Sequence, residues 1–364
     1  MKINIKQIEL EKLLKIHFEN LNSFLEDVVF SCIHLSVKNK TLSGVSTNKK
    51  ISIKTTTKNL FIEEEGEILI NLTTLFNLIS KFNKSDELNI YVLDNNLIIN
   101  SKNSTTNLLI NDLNDLYGID FESKSPFSIP FDVLDYSCNK LINCITLINQ
   151  NRQILTGINF NNNESKLTCI GASTTFLASY NSKIQSSEFN ITIPQEVFKL
   201  ISNKISKNTK CTFYIKNNTN IIINFDDTII NSLLLTETFP KINILNEIKG
   251  DAVVVEKNLF LNTINQAGAI NNLEKNPTLT LTISNNKIQI YTKSTNKGTF
   301  FTELPATCEI NKDEQFNLNI KNLTTLLKNI DDEKVKIVFQ STNQPIFILN
   351  PTNPNYTSII QPIK

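Results

Sequence analysis

The residues of this chain that could do chemistry are few and scattered. His17 and His34 are its only histidines, and neither stands at ligand spacing from a cysteine or a carboxylate. Three acidic groups, Glu63–Glu65, Asp226–Asp227 and Asp331–Glu333, fall at predicted turns, where charges are usually solvated. No phosphate-binding loop, dinucleotide fingerprint or HExxH zinc motif occurs. The sequence therefore predicts no catalytic residue, no metal site and no cofactor, and it disfavours an enzyme.

The spacing of the cysteines and the hydropathy of the chain indicate the cellular compartment of the protein. Six cysteines are spread along the 364 residues with no CxxC pair, a pattern typical of reduced, buried thiols in a cytosolic protein. No run of 18 apolar residues is present. Charges interrupt the N-terminal segment, unlike the apolar core of a signal peptide. We therefore expect a cytoplasmic protein with no membrane partner.

Cations recur along six amphipathic segments. The candidates for contact with a polyanion are Lys12, Lys15, Lys81, Lys140, Arg152, Lys199, Lys204, Lys207, Lys257, Lys321 and Lys328. With a net charge of only +1, an ordinary solvated helix face explains this pattern as well as a shared binding surface does. If the surface exists, lysines without interleaved aromatic residues favour phosphate contact over base stacking.

Repeated strand–helix units would position these cations. One series begins at Ile68, Phe189 and Phe316, where an apolar strand leads into a helix and then a two-stranded hairpin. A second series, in step with the first, begins at Lys2, Phe127 and Ala252. Successive starts lie about 125 residues apart, which indicates tandem domains because solenoid repeats are far shorter, roughly 20–50 residues.

We therefore predict an α+β protein, built from three tandem domains of two helices packed on antiparallel sheets. The expected bounds are residues 1–124, 125–249 and 250–364, with polar linkers near 122–126 and 246–250. Predicted strands outnumber helices about two to one. The first domain is expected to close with a strand over Asn107–Leu113, the second to open with one helix over Val133–Ile145, and Pro194 to lie in the first turn of its helix.

The segment Arg152–Tyr180 resembles the second domain of the bacterial DNA polymerase III beta subunit, the sliding clamp family. Its motif is Arg-x-x-Leu-x-Gly-x-x-Phe, followed by a turn, a strand and a loop that ends in Phe-Leu-Ala. Three further segments resemble the same family: Glu188–Ile201, Phe239-Pro240 and Ser358–Lys364. Together with the repeat, the resemblance covers the whole chain in the family's order.

This resemblance implies a head-to-tail homodimer that closes into a ring and lets double-stranded DNA pass without sequence readout. It also implies an accessory subunit of a DNA-directed DNA polymerase, a processivity factor. The replicative polymerase alpha subunit, the clamp loader and repair proteins would dock on it through short peptides. The expected dimer contacts are Leu108, Ile110, Ile270, Phe300 and Thr302.

The peptide pocket that the resemblance implies lies between the second and third domains. Its positions are Leu155, Thr174, Thr175, Phe176, Leu177, Pro240, Ile244, Leu245, Pro345, Ile359, Ile360, Gln361, Pro362 and Ile363. The tail 359–363 is expected to form one wall.

The chain departs from the family at this pocket. Ser173 and Phe176 replace an acid and an arginine, Lys241-Ile242 replaces Asp-Tyr, and Asn322 stands roughly where a tyrosine is common. An arginine expected near Asn22–Ser23 is also missing. From Phe176 we expect a preference for apolar or aromatic anchors and away from acidic flanks.

Two other functions stay open on the sequence. A divergent clamp-like paralogue would keep the ring, but its altered pocket would not bind a polymerase peptide. A repeat-built scaffold or hydrolase unrelated to DNA is the alternative from a different class. The hydrolase would need a cleft with two or more titratable groups, which the sequence does not supply.

Overall fold

The structure is a computed structural model that describes residues 1–21, 28–113, 118–146, 152–246, 248–271, 274, 276–308, 310 and 312–363. The position near Asn22–Ser23 lies outside these residues. The six α-helices within them are α1 (Gln7–Glu19), α2 (Leu72–Ile79), α3 (Phe131–Asn139), α4 (Gln195–Ile201), α5 (Lys257–Asn271) and α6 (Ile320–Lys328).

The strands in the described residues outnumber these helices about four to one, twice the predicted ratio. They are β1 (Lys2–Lys6), β2 (Cys32–Lys38), β3 (Thr41–Thr47), β4 (Ile51–Thr57), β5 (Leu60–Glu64), β6 (Gly66–Asn71), β7 (Glu87–Leu93), β8 (Asn96–Asn100), β9 (Thr105–Leu109), β10 (Phe127–Ser128), β11 (Gly157–Asn163), β12 (Lys166–Ala172), β13 (Phe176–Lys183), β14 (Phe189–Pro194), β15 (Cys211–Lys216), β16 (Asn220–Phe225), β17 (Thr228–Leu233), β18 (Asp251–Glu256), β19 (Thr278–Ser284), β20 (Lys287–Ser294), β21 (Gly298–Pro305), β22 (Glu314–Asn319), β23 (Lys334–Phe339), β24 (Ile346–Leu349) and β25 (Tyr356–Ile360).

Each of the six predicted strand–helix units is present, and local chemistry sets where the helices begin. Asn71 and Asn319 cap α2 and α6, because each side-chain oxygen accepts a hydrogen bond from the backbone N–H three residues later. An Asn cap of this kind stabilises a helix by about 1 kcal/mol. Hydrophobic residues then recur at helical spacing, so that Leu72, Leu75 and Ile79 are buried on one face of α2.

The chain folds as two compact units. The first comprises Met1–Phe131 and Glu196–Leu234, and the second comprises Asp132–Gln195 and Leu235–Lys364. The segment between residues 125 and 249 contributes to both. The division into 1–124, 125–249 and 250–364 therefore stays a prediction.

Each unit holds one small and one large antiparallel sheet. In the first unit, sheet A has the order β5-β1-β7-β8-β9, and sheet B has the order β10-β15-β16-β17-β4-β3-β2-β6. In the second unit, sheet C has the order β18-β23-β24-β25-β13-β12-β11-β14, and sheet D has the order β21-β20-β19-β22. Sheets B and C match strand for strand in this direction, as expected for a repeated sequence.

The match between sheets B and C extends to individual positions. His34 lies opposite Val45, which lies opposite Lys54, across β2, β3 and β4. In the same places of β11, β12 and β13, Asn159 lies opposite Ile170, which lies opposite Ser179. These two rows identify equivalent positions of the two units.

The predicted bounds differ from the structure at three places. The helix over Val133–Ile145 ends at Asn139, and a 3-10 turn covers Leu141–Cys144. That turn packs its backbone on β12 at Gly171, where an added Cβ would overlap the Leu141 carbonyl. The strand expected over Asn107–Leu113 ends at Leu109, because the Asn111 N–H bonds instead to Leu69 O of β6. Pro194 closes β14 rather than lying inside α4.

Candidate functional site

The pairing of β13 with β25 in the middle of sheet C forms the base of the candidate site. Leu177 lies opposite Ile359, and Phe176 lies opposite Ile360. Because side chains alternate across a strand, Leu177 and Ile359 share one face of the sheet, and Phe176 and Ile360 share the other. Phe176 and Ile360, which the sequence placed in the pocket, therefore lie on the face opposite Leu177 and Ile359.

Two apolar clusters meet on the Leu177 face. One contains Ile154, Leu155, Ile170, Ala172 and Phe239, and the other contains Val338, Phe347 and Ile359. Leu177 and Leu245 pack against both clusters and are only half-buried. We call the surface formed by Leu155, Leu177, Pro240, Ile244, Leu245, Pro345, Phe347 and Ile359 the apolar pocket. Sequence reasoning missed Phe347, although its place in the continuously apolar strand Ile346–Leu349 marks it as part of a sheet core.

The turn before β13 is held without charged groups. The Ser173 Oγ accepts from the backbone N–H groups of Thr175 and Phe176, at 3.3 and 3.2 Å. From α6, Asn322 Nδ2 donates to Thr175 Oγ1 at 3.0 Å. Ser173, Thr175 and Asn322 therefore form a neutral, hydrogen-bonded turn, which we call the rim.

The first two tail residues, Ile359 and Ile360, belong to strand β25 of sheet C. Ile359 is 5% exposed and Ile360 is fully buried. Beyond β25, Gln361 N donates to Thr175 O at 2.8 Å, and Ile363 N donates to Asn317 O at 2.7 Å. Pro362 is buried, whereas Ile363 has 39% of its surface exposed.

Two cavities flank the segment 239–245 where it crosses this face. Asn243, Ile244, Gln340, Gln344, Pro345 and Phe347 line a cavity of about 390 Å³ at the apolar pocket. A second cavity of about 390 Å³, which we call the polar cavity, lies on the other side of Leu245, along β11, β12, β13 and β14. Its lining is Asn159, Asn161, Lys166, Thr168, Ile170, Ser179, Asn181, Asn190, Phe239, Pro240, Lys241, Ile242, Asn243, Leu245 and Thr357.

Three of the candidate polyanion contacts are already engaged within the chain. Lys140 pairs with Asp331 and lies over the Tyr136 ring, with Nζ 4.4 Å from the ring centre. Lys204 pairs with Glu19, and Lys257 Nζ donates to Ile330 O at 3.1 Å. The exposed members of the set are Lys12, Lys15, Lys81, Arg152, Lys199, Lys207, Lys321 and Lys328.

The expected dimer residues lie at or next to sheet edges. In the described residues, β9 pairs only with β8, and β21 pairs only with β20. Leu108 and Ile110 pack on the core of the first unit and are half-buried. Ile270, Phe300 and Thr302 of the second unit are also half-buried. Beside them, Leu109 is 78% exposed and Phe301 is 61% exposed.

The opposite edges are less suited to pairing. On β5, the other edge of sheet A, Glu63 and Glu64 carry adjacent negative charges. Charged edge strands discourage pairing with another chain. On β22, the other edge of sheet D, the Asn317 carbonyl already accepts from the tail.

One histidine is sealed inside the first unit. His17 is fully buried, with Nδ1 2.7 Å from Ser46 Oγ and Nε2 2.8 Å from Thr55 Oγ1. Burial lowers the pKa of His17 to about 3, because a charged imidazolium would lose its hydration there. This residue holds α1 against β3 and β4 as a neutral hydrogen-bonding group.

The remaining reactive groups are structural. The six cysteines are free thiols, and burial raises the pKa of Cys138 and Cys144 to about 12. No group of three or more His, Cys, Asp or Glu that could hold a metal ion occurs among the residues that the structure describes. In the same residues, no helix is long and apolar enough to cross a membrane.

Comparisons with known proteins place the chain beside one family. The model of the DNA polymerase III beta subunit, N-terminal domain, matches residues 1–118, and the model of its C-terminal domain matches residues 243–364. Together the two matches take in more than half of the chain. The beta sliding clamp of Mycoplasma pneumoniae is 23% identical over 389 aligned residues that cover 100% of both proteins.

Solved structures share the whole fold. The DNA polymerase sliding clamp from Bacillus subtilis superposes with a TM-score of 0.92 at 19% identity, covering 100% of this chain and 99% of that one. The DNA polymerase III subunit beta from Pseudomonas aeruginosa gives a TM-score of 0.93 at 17% identity, with 100% of both chains covered. The antiparallel α+β architecture predicted from the sequence is confirmed.

Proposed function

Because this chain belongs to the DNA polymerase III beta subunit family, we propose that it is a DNA polymerase processivity factor. Two copies would form a closed ring that encircles duplex DNA and slides without sequence readout. The observation that supports the tethering role is the apolar pocket, whose half-buried Leu177, Ile244 and Leu245 offer contact surface beside a cavity. The replicative polymerase alpha subunit, the clamp loader and repair proteins are its proposed partners.

The pocket suits short peptides with apolar anchors. Burying one Leu- or Phe-sized side chain contributes roughly 1.5–3 kcal/mol, so two anchors supply most of the affinity of a short peptide. Peptides bind such grooves through a few anchors at fixed spacing. Since Phe176 faces the other side of sheet C, we propose that Leu177 and Leu245, rather than Phe176, select these anchors.

Replacing Leu177 and Leu245 by alanine is expected to lower peptide affinity at least tenfold. Each substitution removes an apolar contact worth about 1–2 kcal/mol, and 1.4 kcal/mol corresponds to a factor of ten. The measurement is fluorescence polarisation with a labelled peptide from the replicative polymerase of the same organism.

Two controls make this experiment interpretable. Leu233→Ala changes a leucine that is 44% exposed on sheet B and should leave the affinity unchanged. Truncation before Ile360 is unsuitable, because it removes a fully buried residue of β25. Equal affinity for wild type and the double variant would contradict the pocket, whereas no binding by wild type would favour the divergent paralogue.

The exposed helix lysines are expected to set the salt dependence of DNA binding. The variant Lys12→Gln/Lys15→Gln/Lys199→Gln avoids Lys204, whose charge is paired with Glu19. Each lost phosphate contact should reduce the slope of log affinity against log salt by about 0.9. Because two copies each lose three lysines, the triple variant should be flatter by up to about 5.4. Titrations of a short duplex at several salt concentrations measure the slope.

A matched set tests whether the helix location matters. Lys58, Lys102 and Lys124 are exposed lysines outside the helices, and their joint replacement by glutamine removes the same charge. We expect this control to keep the slope of wild type. If both triple variants change the slope equally, only net charge matters and the helices do not face DNA.

A further inference from the structure

The polar cavity presents hydrogen-bond donors. Asn159 Nδ2 donates to Asn190 Oδ1 at 2.8 Å, and Thr168 Oγ1 donates to Asn181 Oδ1 at 2.8 Å. The amide oxygens of Asn190 and Asn181 are therefore occupied, and their NH2 groups are what this network leaves for a ligand. Lys166 and Lys241 add two cations to the lining, which contains no carboxylate. Such a set of groups fits an acceptor with negative charge.

A cross-strand pair of like charges marks the same end of the cavity. Lys166 of β12 lies directly opposite Lys183 of β13, and both side chains are exposed. Like charges opposite each other in a sheet are destabilising. Within the described part of the chain, neither these two lysines nor Lys241 forms an ion pair. An anion bound there would relieve this repulsion.

The cavity is continuous with the apolar pocket. Leu245 and Pro240 belong to both, and Ile170 lies at the apolar end of the cavity floor. Leu177 of the apolar pocket lies opposite Ala172 of β12, and Lys166 is six residues from Ala172 on the same face. At about 3.3 Å per residue, six residues of a strand span about 20 Å. An extended peptide anchored beside Leu177 would therefore reach the lysines with about its sixth residue beyond the anchor.

We propose that the polar cavity binds an acidic side chain of the docking peptide, about six residues from the apolar anchors, through Lys166, Lys183 and Lys241. This inference rests on the proposed peptide-binding function. It reverses the expectation that Phe176 turns the site away from acidic flanks, since Phe176 faces the opposite side of sheet C. The peptide class it selects has apolar anchors and a nearby aspartate or glutamate.

The equivalent cavity of the first unit provides a control for the location of a lysine. It has a volume of about 280 Å³ and lies over His34, Val45 and Lys54, the positions equivalent to Asn159, Ile170 and Ser179. Lys54 is therefore a cavity-lining lysine at the position equivalent to Ser179, but away from the apolar pocket.

The test compares two labelled forms of the polymerase peptide. One carries Asp-Asp and the other Asn-Asn, starting at the sixth position from the last apolar residue. Each flank is placed on either side of the anchors, because an extended peptide can run along β12 in both directions. Fluorescence polarisation is measured with the full chain, the variant Lys166→Gln/Lys183→Gln/Lys241→Gln, and Lys54→Gln.

Wild type and Lys54→Gln are expected to bind one Asp-flanked peptide about fivefold tighter than its Asn-flanked partner at low salt. Added salt should reduce this preference. In the triple variant the ratio should fall to about one, while the Asn-flanked peptide keeps its affinity.

Each other outcome has a distinct meaning. Equal binding of both flanks by wild type overturns the inference but leaves the apolar pocket in place, and so does a preference that survives in the triple variant. Failure of both peptides to bind removes the proposed pocket together with the inference. If the triple variant instead loses affinity for duplex DNA while the peptide ratio is unchanged, the cavity binds phosphate and the inference is wrong.

Discussion

The double variant Asn107→Pro/Leu109→Asp is expected to convert a dimer of this chain into monomers. Ile110 N, just after β9, donates to the carbonyl of Asn95, just before β8. Because N–H groups alternate in direction along a strand, those of Asn107 and Leu109 face the outer edge of β9. A proline at 107 removes one edge donor without breaking the pairing with β8, because proline is tolerated where the N–H faces outward.

The expected size of this effect follows from two contacts. Losing one strand hydrogen bond costs about 1 kcal/mol, and losing the burial of a leucine costs about 2 kcal/mol. Together these raise the dissociation constant of a single β9–β21 contact roughly a hundredfold. A head-to-tail ring of two copies contains two such contacts. Light scattering at micromolar concentration should therefore give twice the chain mass for wild type and the chain mass for the variant.

The opposite edge of sheet A supplies the control. Phe61 on β5 is 65% exposed, comparable with Leu109 at 78%, so Phe61→Asp introduces the same charge on the other edge strand. This variant should remain dimeric and should stay on closed circular DNA, which the double variant should leave. A wild-type chain that is monomeric at micromolar concentration, or a double variant that stays dimeric, contradicts the proposed β9–β21 contact.

Acid is expected to destabilise the first unit through His17. In the unfolded chain this histidine takes up a proton near its ordinary pKa of 6.5, but in the folded chain it does so only near 3. The stability it contributes is therefore present above about pH 6.5 and is lost as the pH falls toward 3. Over the whole window the loss is about 4–5 kcal/mol, and about 2–3 kcal/mol is lost by pH ~4.5.

The comparison with His17→Gln isolates this effect. Glutamine cannot take up a proton but can still hydrogen-bond to Ser46 and Thr55. Urea unfolding followed by circular dichroism at about pH 6.5 and about pH 4.5 should give a smaller loss of unfolding free energy for the variant, by about 2–3 kcal/mol. His34→Gln removes the only other histidine and checks that the change belongs to His17. Parallel losses in wild type and His17→Gln would rule out His17 as the cause.

Local patterns predict much of this fold because helix and strand periods differ. The alternating start and helical stripe of Ile68–Ile79 identify β6 and α2, and the same holds for the five other units. The bounds that fail depend on contacts distant in sequence. The end of α3 is set by the approach of Leu141 to Gly171, and the end of β9 by the bond from Asn111 to Leu69. Neither contact leaves a periodic signal.

The site is predictable in part for the same reason. Resemblance to a family locates the segments of Leu177, Leu245 and Ile359, but strand register decides which side of a sheet each residue faces. Phe176 and Leu177 are adjacent in sequence but lie on opposite faces of sheet C, and so do Ile360 and Ile359. The polar cavity lies still further from sequence reasoning, because its asparagines and lysines come from four strands and a covering segment.

The order of strands in the two large sheets also constrains when each unit can fold during synthesis. In sheet B, β17 must pair with β4, whose residues precede it by about 180 positions, and in sheet C, β25 must enter between β13 and β24. Pairings between distant segments are slow because a long loop has to close first. Sheet C can therefore be completed only after residue 360 has left the ribosome. Until then, the edges of β13 and β24 are exposed to other nascent chains.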